Sequence, residues 1–388
     1  MNRIKRIVGA GLAALLLFCL VAAAQTAVEK ELQDSSQELA RLFGLKNWAG
    51  ALRVIDRQLE LADRLGNREV RAGVLYNKAC VHALAGEKAK AVAAVQACIA
   101  AGFTDASKFE TDTDLDSLRS NPEFLSMVAD LKVKYGPRPL EWDLGQSPPE
   151  FVAVFDPPET KELQDMRREF EIDAVVAGAK DDYERLCRLT RWVSTRWEHS
   201  SDQMASKSDP VTILREAQKG GRFICRDYAI VLAGVAKAYG MPARLLNLLP
   251  RDVETRSEAH SVAEVWLEQF HKWVLADGQY GAIGELDGVP LNGIELQAAF
   301  AADRPVAAKV GADILPEWKP FILRNAYYFK TGDNQRSYGG KTGRQLVLVP
   351  KGAPEPHKFA GGNESVFAGS VYTSNPTTFY APPSGARK

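Results

Sequence analysis

Three residues whose side chains can carry out acyl transfer occur in order along the chain: Cys225, His260 and Asp277. In such chemistry a cysteine thiolate attacks a carbonyl carbon, an imidazole holds and then delivers a proton, and a carboxylate fixes the tautomer of the imidazole. Cys225 follows Gly220-Gly221 and opens a helical pattern. A helix N-terminus favours a thiolate over a thiol. On position alone, a buried structural cysteine is an equally good interpretation.

The surrounding sequence predicts a helix and a set of strands that would position these side chains. Apolar residues recur at helical spacing after Cys225, until a glycine and a proline end the pattern. Strands are expected at Ala243–Leu249, His260–Leu267 and Trp273–Ala276. A simple turn over residues 269–271 would set Asp277 opposite Ala263 rather than His260. A bulge or a diagonal contact is therefore needed to join the histidine to the aspartate.

These residues lie within a longer pattern that resembles the transglutaminase-like core. The matching elements are, in order, Cys225-x-x-Tyr228-Ala229, Tyr239-Gly240-Met241-Pro242-Ala243-Arg244, His260-x-x-x-Glu264-Val265 and Trp273-Val274-x-x-Asp277. The resemblance covers about Leu163 to Gly281. It implies a papain-like α+β fold in which Cys225 is the nucleophile on a helix, His260 lies on one strand and Asp277 lies on the next.

The pattern departs from the family at two positions near the predicted site. Val262 stands two residues after the histidine, where many members have an aromatic residue, and Gly278 stands where proline is familiar. Neither change removes a catalytic atom. An oxyanion hole would combine the backbone N–H of Cys225 with a side-chain donor from the upstream segment. Trp197 and His199 are the two candidates, although Trp197 also fits the core and His199 also fits an exposed position.

Length and composition bound the class of protein. A chain of 388 residues is longer than one compact core usually holds, so two or three domains are expected. Hydrophobic residues make up 46% and charged residues 25%, which excludes a disordered, collagen-like or polytopic membrane chain. Basic and acidic residues number 49 each, so no broad basic field is available for nucleic acid.

The N-terminus has the pattern of a secretory signal peptide. Basic residues precede an apolar run over residues 7–24 that closes with three alanines. We therefore predict a signal peptide at residues 1–24 and an exported protein, periplasmic or secreted. The run is also nearly long enough to span a bilayer, so membrane contact is expected only if the signal stays uncleaved as an anchor.

The rest of the chain divides by composition into four predicted regions. Residues 25–135 read as an all-α helical domain that resembles tetratricopeptide repeats, with small residues at Ala79, Gly86, Ala91 and Cys98 and a looser copy around Trp48 and Ala51. Such helices serve either as a groove for a protein partner or as a packing platform. A Pro-rich linker at 136–160, the transglutaminase-like catalytic domain at 161–305 and a β-rich C-terminal region at 306–388 complete the α+β prediction.

The remaining motifs predict no metal and no cofactor. The four cysteines beyond the signal include no CxxC pair, which argues against a zinc site or a disulfide scaffold. The stretch from Asp112 to Glu123 imitates a calcium loop, but Ser117 replaces the required glycine. Residues 339–342 hint at a phosphate loop, but Gln335 replaces its first glycine and no helical pattern follows.

Together these features predict a cysteine enzyme that acts on an amide of a protein or peptide through a Cys225 thioester. Hydrolysis is preferred over transfer to an amine, because water is abundant and the sequence shows no acidic pocket for an amine. The alternative is a catalytically silent protein of the same fold that serves as a binding module in the cell envelope. The presence of all three residues, Cys225, His260 and Asp277, favours the enzyme.

Overall fold

The computed structural model of the chain describes residues 27–338 and 343–383. The predicted signal peptide and the stretch considered as a phosphate loop lie outside these residues. The chain divides into two compact units, Met1–Gly136 and Pro137–Lys388. Among the helices that are described, none is both long and apolar enough to cross a membrane.

The described part of the first unit is helical, as the sequence predicts. Its helices are α1 (27–44), α2 (Trp48–Leu65), α3 (Arg68–Leu84), α4 (Lys88–Ala100), α5 (Ala106–Thr111) and α6 (Pro122–Tyr135). The small residues Ala79, Ala91 and Cys98 are fully buried between α3 and α4, where larger side chains would hold the helices apart. Gly86 supplies the left-handed turn between these two helices, with φ of 77°. The likeness to tetratricopeptide repeats stays a prediction.

The second unit contains the helices and strands around the predicted site. Its helices are α7 (Lys161–Glu169), α8 (Ile172–Val176), α9 (Asp182–Ser194), α10 (Pro210–Gln218), α11 (Cys225–Ala238), α12 (Gly293–Ala301), α13 (Leu315–Asn325) and α14 (Pro376–Phe379). Its strands are β1 (Ala243–Leu249), β2 (His260–Leu267), β3 (Lys272–Ala276), β4 (Ile283–Leu286), β5 (Val289–Pro290), β6 (Ala307–Val310), β7 (Tyr328–Gly332), β8 (Gln345–Leu348) and β9 (Ser370–Thr373).

Within the described residues, six strands form the main sheet in the order β3-β2-β1-β7-β8-β9. All neighbours are antiparallel except β8 and β9, which are parallel. A smaller sheet has the order β5-β4-β6. The predicted α+β fold class is confirmed, with N-terminal helices and a mixed-sheet core.

Helices cover both faces of the main sheet. On one face, which we call the front face, Ala243, Ala263 and Val265 pack with apolar residues of α9 and α11. On the opposite, rear face, Leu246 and Val262 pack with apolar residues of α12 and α13. The alternation follows from the period of two along a strand, because odd and even residues of β1 point to opposite sides.

The C-terminal residues, which the sequence predicts to be a β-rich region at 306–388, are part of this core. Strand β7 pairs with β1, and β8 and β9 continue the same sheet. Strand β9 follows a 3-10 turn at residues 364–366. Residues of the predicted linker also pack here, since Leu140, Trp142 and Phe151 contact the rear-face cluster.

A buried ion pair fastens the 137–160 segment to helix α11. Lys237 and Asp156 are 4% and 6% exposed, and Lys237 Nζ lies 2.8 Å from Asp156 Oδ2. The ammonium also donates to the carbonyl oxygen of Gln335 and the hydroxyl of Ser337, while Asp156 accepts the backbone N–H of Ser337. Burial lowers the pKa of Lys237, and Asp156 opposes that effect. Each partner compensates the charge of the other.

We predict that Asp156→Ala destabilises the second unit by about 3–5 kcal/mol, because it leaves the Lys237 charge buried and unpaired. Every tryptophan except Trp48 lies in that unit, so tryptophan fluorescence during urea unfolding reports its stability. Glu159→Ala, at an exposed position three residues away, is the control. Equal midpoints for the two variants would contradict the structural role of the pair.

Candidate active site

Cys225 is the first residue of α11 and is partly exposed. The first N–H groups of a helix have no acceptor within the helix, so they present a positive end to the thiol. The chain before Cys225 packs closely around Gly221. A Cβ at Gly221 would lie 2.4 Å from the Phe223 ring and 2.9 Å from the Glu216 carbonyl oxygen, so only glycine fits there. Cys225 Sγ lies 4.0 Å from the carbonyl oxygen of Ala259, the residue before His260.

His260 and Asp277 form a fully buried pair. His260 Nε2 lies 2.7 Å from Asp277 Oδ2, and both side chains are 0% exposed. Because Nε2 is engaged by the carboxylate, Nδ1 is the ring nitrogen left for Cys225. Nδ1 is buried and has no hydrogen bond of ordinary geometry within the described residues. The ring edge packs against Phe321, with ring centroids 4.9 Å apart.

The turn between β2 and β3 explains how this pair forms without a bulge. Residues 268–270 make a 3-10 turn, and His271 follows in the left-handed conformation. Leu267 therefore pairs with Lys272, and Ala263 pairs with Ala276. The next position in this register sets Asp277 opposite Val262. Val262 lies two residues after His260, so the two side chains share a face of β2. The contact is diagonal, and the register predicted from a shorter turn was wrong by one residue.

Four donors hold the Asp277 carboxylate. Oδ2 accepts from His260 and from the indole Nε1–H of Trp318 at 2.8 Å. Oδ1 accepts the backbone N–H groups of Gln279 and Tyr280, at 3.1 and 3.2 Å. These donors replace the hydration that the carboxylate loses on burial, and they also fix its orientation toward the histidine.

Trp318 is the residue of the site that sequence reasoning missed. It lies on α13, is fully buried, and follows Asp277 by 41 positions. Its neighbours in sequence match no motif, and the segment falls within the predicted β-rich C-terminal region at 306–388, where the structure has helix α13. No signal in a single sequence links this tryptophan to Asp277.

The pKa values of Cys225 and His260 are shifted in opposite directions. Burial by itself raises the pKa of Cys225, but the hydrogen-bonding and charge effects of His260 bring it below its ordinary value. Burial by itself lowers the pKa of His260, but Asp277, and then Cys225, raise it well above its ordinary value. These shifts favour a thiolate facing an imidazolium, which is the reactive form of a cysteine–histidine pair.

Both upstream candidates for an oxyanion donor contact residues close to Cys225 in sequence. Trp197 is buried against Phe223 and Tyr228, with ring centroids 5.8 and 4.2 Å apart. Its indole Nε1–H is buried and has no hydrogen-bond acceptor in the described part of the chain. His199 is exposed and forms a backbone bridge with Phe223. Burial and the charge of His260 lower the pKa of His199.

A cluster in the first unit has ligand types but not the character of a metal site. One potential ligand atom from each of Cys80, Asp112 and Asp114 lies within 4.8 Å of the others. Burial raises the pKa of Cys80 far above its ordinary value, which keeps it a thiol. Tyr76 already donates to Asp112 Oδ2 at 2.6 Å. These contacts are typical of a hydrogen-bonded packing cluster, and we assign no metal to it.

Comparison with known proteins identifies the central part of the second unit. The family model of the transglutaminase-like superfamily matches residues 172–278. Among curated proteins, none matches the chain. A crystal structure of a candidate cysteine protease from Cytophaga hutchinsonii is similar at 17% identity and a TM-score of 0.25, over 30% of this chain and 37% of that one. This chain therefore spans little more than a third of that protein, and so low a TM-score carries no argument.

The family match agrees with the resemblance found in the sequence and includes the cysteine, the histidine and the aspartate of the site. Residues 172–278 of this chain are therefore a transglutaminase-like superfamily domain.

Proposed function

We propose that the protein is a thiol acyl-transfer enzyme that opens an amide bond through a thioester on Cys225. The observation that carries the proposal is the partly exposed Cys225 beside a fully buried His260–Asp277 pair, with pKa shifts that favour a thiolate and an imidazolium. The alternative, a silent binding module, would require neither a partly exposed cysteine nor an ionised histidine beside it.

The proposed reaction has two steps. The Cys225 thiolate attacks the amide carbonyl carbon, the C–N bond breaks, and the His260 imidazolium delivers its proton to the leaving nitrogen. Water then attacks the thioester while His260 takes up a proton, and the carboxylic acid product leaves the regenerated thiolate. The backbone N–H of Cys225 and the unpartnered indole of Trp197 would stabilise the oxyanion.

We propose hydrolysis rather than transfer to an amine. The charge of the Asp277 carboxylate acts on Cys225, but Asp277 is fully buried and bound to His260. It therefore cannot serve as a binding site for a cationic acceptor amine. A glutamine peptide incubated with and without a primary amine distinguishes the two reactions by mass spectrometry. We expect deamidation with ammonia release and no amine adduct, whereas incorporation of the amine would contradict the preference.

We predict that iodoacetamide alkylates Cys225 well below the ordinary thiol pKa of about 8.5. Because His260 lowers the pKa of Cys225, His260→Ala should raise it and reduce the alkylation rate at pH 6 by about tenfold or more. The exposed His271→Ala is the matched control and should leave the rate unchanged. The ion pair would be refuted if Cys225 of the wild type reacted with the pH profile of an ordinary thiol. It would also be refuted if His260→Ala left the pH profile unchanged.

We also predict that Trp318→Phe weakens the site through Asp277. The change removes one donor to the carboxylate but keeps an aromatic ring in the core, so the pKa of His260 and the low-pH reactivity of Cys225 should both change. We expect the alkylation rate at pH 6 to fall by roughly threefold or more. Trp142→Phe, at another packed tryptophan of the same unit, controls for packing alone. Identical pH profiles for the two variants would show that Trp318 has only a structural role.

A further inference from the structure

Polar side chains form a strip on the front face of the main sheet next to Cys225, and we call this strip the polar groove. Asn247 lies on β1, an interior strand, yet it is only half-buried. Helix α11 begins at Cys225, so it does not extend over this part of the face. Beyond the groove, a second apolar cluster that includes Leu249 and Phe367 covers the face again. The uncovered strip therefore lies between the start of α11 and that cluster.

The strand register defines the floor of the groove. Asn247 pairs with Ser261 on one side and with Lys330 on the other, so the three side chains share the front face. Ser261 donates from its hydroxyl to Asn247 Oδ1 at 2.9 Å. The backbone N–H of Ser261 also lowers the pKa of Cys225, which ties this row to the thiol. Two strand spacings separate Ser261 from Lys330, or about 10 Å.

Lys330 is a buried cation without an acidic partner. It is 9% exposed, and its Nζ donates to the carbonyl oxygen of Val366 at 3.1 Å and lies 5.8 Å from the Phe367 ring centroid. Over residues 27–338 and 343–383, no carboxylate forms an ion pair with it. The carbonyl and the ring that it contacts are neutral, and they leave the positive charge uncompensated.

A second cation, Arg226, acts on Lys330. Burial, and then the charge of Arg226, lower the pKa of Lys330 to about 8. Arg226 follows Cys225 directly, is exposed, and forms no ion pair within the described residues. Arg226 and the positive end of α11 thus lie beside the thiol, and the charge of Arg226 reaches Lys330. An anion between them would relieve this repulsion, and no carboxylate of the described residues forms an ion pair with either cation.

We propose that this groove binds a carboxylate of the substrate between Lys330 and Arg226, so that the enzyme acts on acidic peptides. The anionic group would lie two or three residues from the scissile amide, because an extended chain advances about 3.3 Å per residue. This inference rests on the proposed function and adds the substrate class. The arrangement also disfavours a cationic amine acceptor.

The probes are bromoacetyl-Gly-Gly with a free C-terminal carboxylate and the same compound as its C-terminal amide. Both alkylate Cys225, and they differ only in the anionic group. At low ionic strength we expect the carboxylate to react about tenfold faster, and we expect salt to reduce that ratio. Lys330→Met should bring the ratio close to one, Arg226→Gln should reduce it in part, and Lys330→Arg should preserve it. Lys180→Gln, which removes an exposed charge elsewhere in the unit, should leave the ratio unchanged.

The neutral probe separates failure of the groove from failure of the thiol. An unreactive thiol slows both probes alike, whereas a groove that does not recognise anions changes only their ratio. In either case, Cys225→Ala allows the two ligands acetyl-Gly-Gly and its C-terminal amide to be compared by NMR titration without any reaction. Tighter binding of the carboxylate, lost in Cys225→Ala/Lys330→Met, supports the proposal. Equal affinities, or a wild-type probe ratio near one, would overturn it.

Discussion

The hydrogen bond between His260 and Asp277 is the interaction on which the site depends. Both partners are fully buried, so breaking this hydrogen bond would leave two polar groups away from water and without each other, at a large cost in free energy. The carboxylate fixes which ring nitrogen remains for Cys225 and raises the pKa of the ring. The charge and the hydrogen bonding of the His260 ring in turn lower the pKa of the Cys225 thiol. The main sheet, the β2–β3 turn and α13 all contribute to this one contact.

The sequence was sufficient for the elements of the site but not for all of their contacts. The helix from Cys225 and the strands at Ala243–Leu249 and His260–Leu267 were predictable, because periodicity and turn residues are local signals. The register of β2 against β3 was not predictable, because it depends on whether the turn holds three or four residues. The fourth residue, His271, adopts a left-handed conformation that the presence of a histidine does not predict. Trp318 was hidden for a different reason: its contact with Asp277 is long-range and follows no motif.

The transglutaminase-like segment does not form the site alone. Trp318, which binds Asp277, lies beyond residue 278, and so does Lys330 of the proposed anion site. The segment before residue 172 is fastened to α11 through Asp156. A second buried pair has the same character: Arg244 lies 2.6 Å from Glu264 and also donates to the carbonyl oxygen of Phe379. Arg244 and Glu264 belong to the motif that carries the family resemblance, and their contacts explain them as structural groups that hold the C-terminal residues on the sheet.

The most direct test of the central claim is an NMR titration of the His260 ring in protein with labelled histidine, with and without Cys225→Ala. The chain has five histidines, so loss of one signal in His260→Ala assigns the resonance. The account predicts that His260 stays protonated well above the ordinary histidine pKa of about 6.5 and that its pKa falls when the thiolate is removed. An ordinary pKa in the wild type, or one that Cys225→Ala leaves unchanged, would contradict the thiolate–imidazolium pair.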